Sequence, residues 1–171
     1  MKCEYCDIIE EKNNLLYEDD DVVVAVRDVA VTPGQISVIP KQHFTIFEQV
    51  PPDIVTKCSI MANKVSVSVF EGLGSQGTNI IVKNGTGAGQ TVPHFAMDII
   101  PRQEEDGLNL QWQSKQLMED EMDMAFSTLK DALNPTAITV KKVKDESVKP
   151  EKVKEEKGKE NYMLKSLKRI P

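Results

Sequence analysis

The chain has 171 residues, of which 40% are hydrophobic and 28% are charged. This length fits one domain with an appendage or two very small domains, and the apolar share is sufficient for a core. The formal net charge of −6 argues against broad non-specific binding of nucleic acid, which requires a basic surface.

Composition also bears on the compartment. No apolar run approaches the ~18 residues of a membrane span, and the opening MKCEYCDIIEEKNN lacks the apolar stretch of a signal peptide. Three cysteines do not make a disulfide framework, so a reducing environment is the default. We therefore expect a cytoplasmic protein that does not associate with membranes.

The first half of the chain predicts two strands and a helix. VVVAV at 22–26 and ISVI at 36–39 are typical of buried strands, with a turn-rich segment between them. From 53 to about 70, apolar residues recur at spacings of four and three, which predicts a helix that follows a Pro-Pro pair and ends at Gly72. The apolar face of this helix comprises Ile54, Cys58, Met61, Val65 and Val69.

Two further strands follow, at 79–82 and 94–100, separated by the loop NGTGAG. In the second of these, alternate residues are apolar and are expected to face the core, while the others face the opposite side. The inward set is Phe95, Met97 and Ile99, and the outward set is His94, Ala96 and Asp98. Because strand and helix do not alternate regularly, we expect an α+β fold with an antiparallel sheet.

The chain changes character after Arg102. Residues 114–133 predict a second helix that ends before a proline. Its inward residues would be Leu117, Met124, Phe126 and Leu129. We interpret 1–133 as one domain and 134–160 as a charged, flexible linker, because 141–160 carries eight Lys and six acidic residues. We expect residues 161–171 to be a short amphipathic C-terminal segment.

Cys3 and Cys6 form a C-x-x-C motif at the start of the chain. The spacing could be coincidental, could be a redox pair, or could supply two ligands to a metal. A redox motif places its cysteines at a helix N-terminus that follows a strand, and no strand can precede residue 3. The chain has two histidines, His43 and His94, and two thiolates with two imidazoles would complete a tetrahedral zinc site.

Three blocks of sequence resemble the histidine-triad (HIT) family of nucleotide-binding hydrolases and transferases. They are CEYCDII, YEDDDVVVAVRDVAVTPGQISVIPKQH and GTNIIVKNGTGAGQTVPHFAMDIIPR. The blocks occur in the family's order, and the resemblance covers residues 1 to about 133. It implies a HIT-like five-stranded antiparallel sheet with helices and a homodimer.

The resemblance also implies a structural zinc. Zinc-bearing branches of the family hold the metal with an N-terminal C-x-x-C motif, the His of a PK-x-H segment and the first His of the triad. The matching residues here are Cys3, Cys6, His43 and His94.

The catalytic signature of the family is not kept. The family's sequence motif is His-φ-His-φ-His, in which φ is an apolar residue, and its middle His attacks the α-phosphate. Here the middle His is replaced by Ala96, the third His by Asp98, a further active-site His by Gln35 and an Asn by Lys83. A methyl group offers neither a lone pair nor a proton. Because loss of a nucleophile lowers the rate on the order of 10⁶-fold, we expect ordinary HIT catalysis to be absent.

The positions that bind the nucleotide in the family match this sequence better than the catalytic positions do. Gln90 and Thr91 match positions that contact phosphate in the family, and Lys83 could add a positive charge. Asp28 matches the residue that holds the ribose hydroxyls, although the loop after it is one residue shorter than the family pattern. Asp98 would repel a phosphate unless it is protonated or paired with Lys83.

Three functions are therefore considered. The leading hypothesis is a zinc-stabilised, non-hydrolytic protein that binds a nucleotide, a nucleoside phosphate or a protein partner. The second is a nucleotidyl hydrolase or transferase with altered chemistry, in which Asp98 acts as base or nucleophile. The third is an adaptor that works through residues 161–171, a segment that could equally dock on its own domain or on its dimer mate.

Overall fold

A computed structural model describes residues 3–110 and 112–133. The chain divides into two compact units, 1–111 and 112–171. The predicted linker and C-terminal segment lie outside the described residues, and the domain boundaries stay a prediction.

The first unit is built on a five-stranded antiparallel sheet. The strands are β1 (Leu15–Glu18), β2 (Val22–Val26), β3 (Ile36–Pro40), β4 (Gly77–Ile81) and β5 (Met97–Arg102). They lie in the order β1-β2-β3-β5-β4, and each neighbouring pair is antiparallel. The helices of this unit are α1 (Glu4–Glu11) and α2 (Pro52–Leu73). The predicted α+β fold class is confirmed.

Helix α2 covers one face of the sheet. Its buried residues are Cys58, Ala62, Val65 and Val69, with Ile54 and Met61 packed at the edge of the same core. The predicted apolar face is therefore confirmed. The predicted end at Gly72 is wrong, because the left-handed residue that terminates the helix is Gly74, with a φ of 65°.

Helix α1, which the sequence patterns did not predict, packs on the other face. It contributes Tyr5 to a second apolar cluster that contains Cys3, Val23 and Ile39. Side chains on β2 alternate between the two faces, so the strand is buried on both sides. This two-sided burial explains why VVVAV is continuously apolar.

Several strand bounds differ from prediction, including those of β4, which covers Gly77–Ile81 rather than 79–82. The sequence patterns did not predict β1, because it is a short edge strand whose residues are mostly exposed. Strand β5 begins at Met97 rather than at His94. The predicted alternation nevertheless holds, since Phe95, Met97 and Ile99 lie in the core against α2 while Ala96 packs in the cluster beneath α1.

The second unit contains α3 (Glu119–Ala132), shorter than the predicted helix of 114–133. The prediction that its apolar residues point inward is wrong, because they are exposed. These residues are Leu117, Met124, Phe126 and Leu129. Across the residues that the structure describes, no helix has both the length and the apolar character needed to cross a membrane.

Candidate functional site

Four potential metal ligands meet at one end of the sheet, as the sequence analysis expected. Cys3 is the N-cap of α1, and its sulfur accepts a hydrogen bond from the Cys6 backbone N–H at 3.5 Å. His43 follows β3 and His94 precedes β5. Because β3 and β5 are antiparallel neighbours, the two histidines come together, and α1 places the cysteines beside them.

Three sulfur–nitrogen distances within this cluster match those around a tetrahedral zinc ion. All four ligand atoms lie within 4.8 Å of one another. Cys3 Sγ is 3.4 Å and Cys6 Sγ is 3.5 Å from His94 Nδ1, and Cys6 Sγ is 3.3 Å from His43 Nδ1. Zinc with Zn–S bonds of about 2.3 Å and Zn–N bonds of about 2.0–2.1 Å would hold sulfur and nitrogen about 3.5 Å apart. The donor set and its geometry therefore suit zinc.

His94 is oriented by its second ring nitrogen. Nε2 lies 3.0 Å from the Pro40 carbonyl oxygen. Since a carbonyl oxygen only accepts, Nε2 carries the proton and Nδ1 presents a lone pair to the cysteines. His94 is buried and His43 is exposed, so the cluster has one inner and one outer histidine.

Burial shifts the pKa values of two residues in the cluster, His94 and Cys6, when no metal is bound. Desolvation lowers the pKa of His94, against an opposing effect of the Pro40 carbonyl. Desolvation, together with Cys3, raises the pKa of Cys6 to about 11. A divalent cation must therefore displace a proton from the Cys6 thiol, and its binding should strengthen as the pH rises.

Three of the four altered catalytic positions, Lys83, Ala96 and Asp98, line a small cavity next to this cluster. Its volume is about 30 Å³, enough for a water molecule or two but not for a nucleotide. Its lining comprises Tyr5, Lys83, Gln90, Thr91, Val92, His94, Ala96 and Asp98. Gln35 does not line it. The buried Gln35 side chain instead accepts a hydrogen bond from the Val31 backbone N–H at 2.9 Å and closes the loop that follows Asp28.

Asp98 is buried and has two polar partners. The Ser37 hydroxyl donates to Asp98 Oδ1 at 2.6 Å. Lys83 Nζ lies 3.5 Å from Asp98 Oδ2. The pairing with Lys83, which the sequence analysis raised as a condition, is present.

Tyr5 is a site residue that the sequence analysis missed. It is buried, lines the cavity and lies edge-on to His94, with ring centroids 5.9 Å apart. The Arg27 guanidinium lies 4.8 Å from the centre of its ring. Burial and the neighbouring Asp98 raise the pKa of Tyr5, so the phenol stays protonated. An aromatic residue between the two cysteines was the available signal.

The glycine-rich loop is held together by Gln90. Its amide nitrogen donates to the carbonyl oxygens of Thr45 at 2.7 Å and Val92 at 2.9 Å, and its amide oxygen accepts from the Gly85 N–H at 2.7 Å. Gln90 therefore stabilises the loop in this structure. Its predicted contact with phosphate, like that of Thr91, stays a prediction.

Asp28 lines a second, larger cavity between α1 and the end of β2, with a volume of about 240 Å³. Asn14 donates to the Asp28 carboxylate at 2.5 Å. The other charged residues of the lining are Glu4, Asp7, Glu11 and Arg27, and its apolar residues are Ile8, Val26 and Val29. Arg27 pairs with Glu4, and its contact with Tyr5 connects the two cavities.

The family comparisons agree with this architecture. A family model described as HIT domain matches residues 9–105. Adenylylsulfatase HINT3 of Arabidopsis thaliana is 33% identical over 117 residues, which cover 67% of this chain and 58% of that protein. The chain therefore spans less than two thirds of this relative.

Solved structures show the same fold. A HIT family protein from Bacillus anthracis has a TM-score of 0.70 at 29% identity, covering 77% of this chain and 97% of that one. A zinc-bound histidine triad family protein from Mycobacterium smegmatis has a TM-score of 0.60 at 27% identity, covering 77% and 98%.

Proposed function

The chain belongs to the histidine-triad family, and from that premise we propose that it binds a nucleoside or nucleoside phosphate without hydrolysing it. We further propose that a structural zinc ion is held by Cys3, Cys6, His43 and His94. A homodimer, which the family resemblance implies, belongs to the same proposal.

One observation supports the proposal that the protein does not hydrolyse its ligand: both ring nitrogens of His94 have protein partners, and the neighbouring position 96 is an alanine. Ala96 places a methyl group where the family's nucleophile would stand, and it lines the small cavity. His94 has one ring nitrogen facing the cysteines and the other facing the Pro40 carbonyl. Neither nitrogen is left to attack a phosphorus atom or to protonate a leaving group.

The cavity at Asp28 supports the binding part. A carboxylate accepts hydrogen bonds from the two hydroxyls of a ribose, and the apolar side chains of Ile8, Val26 and Val29 offer a surface for a base. One relative carries the name adenylylsulfatase, which supports an adenine nucleotide as the first ligand to test. Lys83 and Thr91, around the smaller cavity, would lie on the phosphate side.

The structural role of zinc is supported by the closed donor set. Four protein ligands leave no open coordination position, which is typical of structural rather than catalytic zinc. Cys3 caps α1 and Cys6 lies within it, whereas His43 and His94 adjoin the sheet. Bound zinc would supply a link between α1 and the sheet, and α1 forms a wall of both cavities.

The dimer proposal is supported by β4. It is an edge strand of the sheet, and the Ile80 side chain on it is 50% exposed. An exposed apolar edge can pair with a second copy. Sedimentation equilibrium at two protein concentrations tests this, and a mass equal to one chain at both would reject the dimer.

The binding proposal is tested by calorimetric titration of the zinc-loaded full chain with adenosine, AMP, GMP and a dinucleoside polyphosphate. We expect saturable binding of at least one ligand, and none is expected to be consumed during a long incubation. Turnover that disappears in Asp98→Asn would favour the altered-chemistry hypothesis. Failure of all these ligands to bind would reject the proposed function.

A further inference from the structure

The positive charge nearest the small cavity is already neutralised by the protein. Lys83 Nζ lies 3.5 Å from Asp98 Oδ2, and the Asp98 side chain is only 8% exposed. The other carboxylate oxygen accepts the Ser37 hydroxyl at 2.6 Å. Asp98 cannot turn away from Lys83 without giving up this buried hydrogen bond. The carboxylate therefore occupies the place that a phosphate would take beside Lys83.

Four backbone N–H groups of the glycine-rich loop are also engaged. The Gly85 N–H donates to Gln90 Oε1 at 2.7 Å. The N–H groups of Ala88, Gly89 and Gln90 donate to carbonyl oxygens within the same loop. An anion taken out of water requires hydrogen-bond donors. A phosphate that entered here would obtain these N–H donors only if the existing bonds of the loop were broken.

The larger cavity adds an unfavourable field for anions. Four carboxylates, those of Glu4, Asp7, Glu11 and Asp28, line it against one guanidinium, Arg27. That guanidinium is paired with Glu4. Each phosphate on a ligand would bring negative charge toward these groups, whereas ribose hydroxyls are neutral donors that suit the Asp28 carboxylate.

We propose that Asp98 is a specificity-determining residue that makes this site select an uncharged nucleoside over the corresponding nucleotides. This inference rests on the proposed function and narrows its ligand class. The ribose lies toward Asp28, the base lies against the apolar side of the larger cavity, and Asp98 with Lys83 closes the phosphate side. Each added phosphate then weakens binding.

The test is a series of calorimetric titrations of the zinc-loaded full chain at one ionic strength, with adenosine, AMP and ADP as ligands that carry zero, one and two phosphates. The wild-type protein should bind adenosine more tightly than AMP, and AMP more tightly than ADP. The opposite order, with affinity rising from adenosine to ADP, would overturn the proposal without any variant.

The same titrations are repeated with Asp98→Asn, which keeps the shape of the side chain and can still accept the hydrogen bond from the Ser37 hydroxyl. This variant should raise the affinity for AMP on the order of tenfold or more, because Lys83 is released for the phosphate. Its affinity for adenosine should change less than about threefold. Asp20→Asn makes the same chemical change at an exposed position and should leave the ratio of AMP to adenosine affinity as in the wild type.

The two proposals fail in different ways. If Asp98→Asn leaves the ratio of AMP to adenosine affinity unchanged while both ligands bind, Asp98 does not set specificity and the proposed function stands. If none of the three ligands binds either protein, the proposed function itself is rejected, and this inference is rejected with it.

Discussion

Ser37 and Asp98 are directly opposed on neighbouring strands, β3 and β5, and the Ser37 hydroxyl donates to the Asp98 carboxylate at 2.6 Å. Both residues are buried, with exposed fractions of 0% and 6%. A carboxylate at this depth needs polar partners, because a buried charge without them is strongly destabilising. Ser37 is thus the inner partner of a charge whose outer partner is Lys83.

We expect Ser37→Ala to destabilise the protein by about 1.5–3 kcal/mol, the range for loss of a hydrogen bond to a charged group. Equilibrium urea unfolding followed by circular dichroism measures this. Ser59→Ala is the control, because Ser59 lies on an exposed part of α2 and its hydroxyl bonds only within the helix. Equal unfolding midpoints for Ser37→Ala and Ser59→Ala would show that the cross-strand bond contributes nothing.

The metal cluster predicts that the purified protein contains about one zinc ion per chain. Cys3→Ser and Cys6→Ser should each release the metal and lower the melting temperature by several degrees, because a structural metal contributes directly to folding free energy. Metal analysis of the purified variants with thermal melts provides the measurement.

Cys58→Ala is the matched control for the zinc experiment. Cys58 is a fully buried core residue of α2, and desolvation raises the pKa of its thiol to about 12. Its loss should lower stability through the packing it removes but leave the zinc content unchanged. A wild-type protein without zinc, or Cys3 and Cys6 variants that melt like wild type, would refute the metal site.

The cluster shows how far the sequence could be interpreted. Cys3, Cys6, His43 and His94 were available as residue types, but their meeting required a fold, and the fold was supplied by family resemblance. Helix α1 gave no periodic signal, because it is eight residues long and has Cys3 in place of a common capping residue. Its packing on the sheet depends on tertiary contacts that spacing cannot reveal.

The candidate ligand site was predicted less completely. The family resemblance, together with their opposite charges, identified Lys83 and Asp98 as a possible pair, and the structure contains that pair. The sequence could not show that Gln90 is engaged within its own loop. Nor could it show that Tyr5 forms a wall of the small cavity, since side-chain direction on α1 is set by packing.

Asp106 provides a prediction for pH dependence. Arg102 donates to both of its carboxylate oxygens, at 2.5 and 2.9 Å. This guanidinium, with the backbone N–H groups of Leu108 and Gln103, holds the pKa of Asp106 well below its ordinary value. A lowered folded-state pKa stabilises the protein above the unfolded pKa of about 3.9 and ceases to do so as the pH falls toward the folded value.

Asp106→Asn should therefore lower the melting temperature at pH 7, and the difference from wild type should shrink as the pH falls below about 4. Thermal melts at pH 7, 5, 4 and 3 measure the difference. Asp131→Asn, an exposed change on α3, should show a smaller shift at pH 7. A difference for Asp106→Asn that is equally large at pH 3 and pH 7 would contradict the ion-pair interpretation.

Hydrolysis of adenosine phosphoramidate and diadenosine polyphosphates should remain at background for the wild-type protein. The reason is the methyl group of Ala96 together with the engaged nitrogens of His94. Long incubations followed by chromatography of the products provide the measurement. Turnover retained after removal of contaminating enzymes and lost in Asp98→Asn would contradict this prediction.

Restoring the family's catalytic residues tests whether only the reactive groups were lost. The fourfold variant Gln35→His, Lys83→Asn, Ala96→His and Asp98→His should regain measurable nucleotidyl hydrolysis. Ala96→His alone should restore little, because its imidazole would lack neighbouring groups that orient it and stabilise developing charge. Both variants should keep their zinc, since none of the four ligands is changed.

The fourfold variant removes the Asp98 carboxylate together with the Lys83 ammonium, so the net charge of this pair is unchanged and AMP binding has to be measured before any chemistry is sought. Binding and turnover are therefore measured on the same preparation. A folded variant that binds AMP tightly and hydrolyses nothing would show that the pocket has changed shape. The loop after Asp28 would then be the first region to examine, because it is one residue shorter than the family pattern and Gln35→His removes the side chain that closes it.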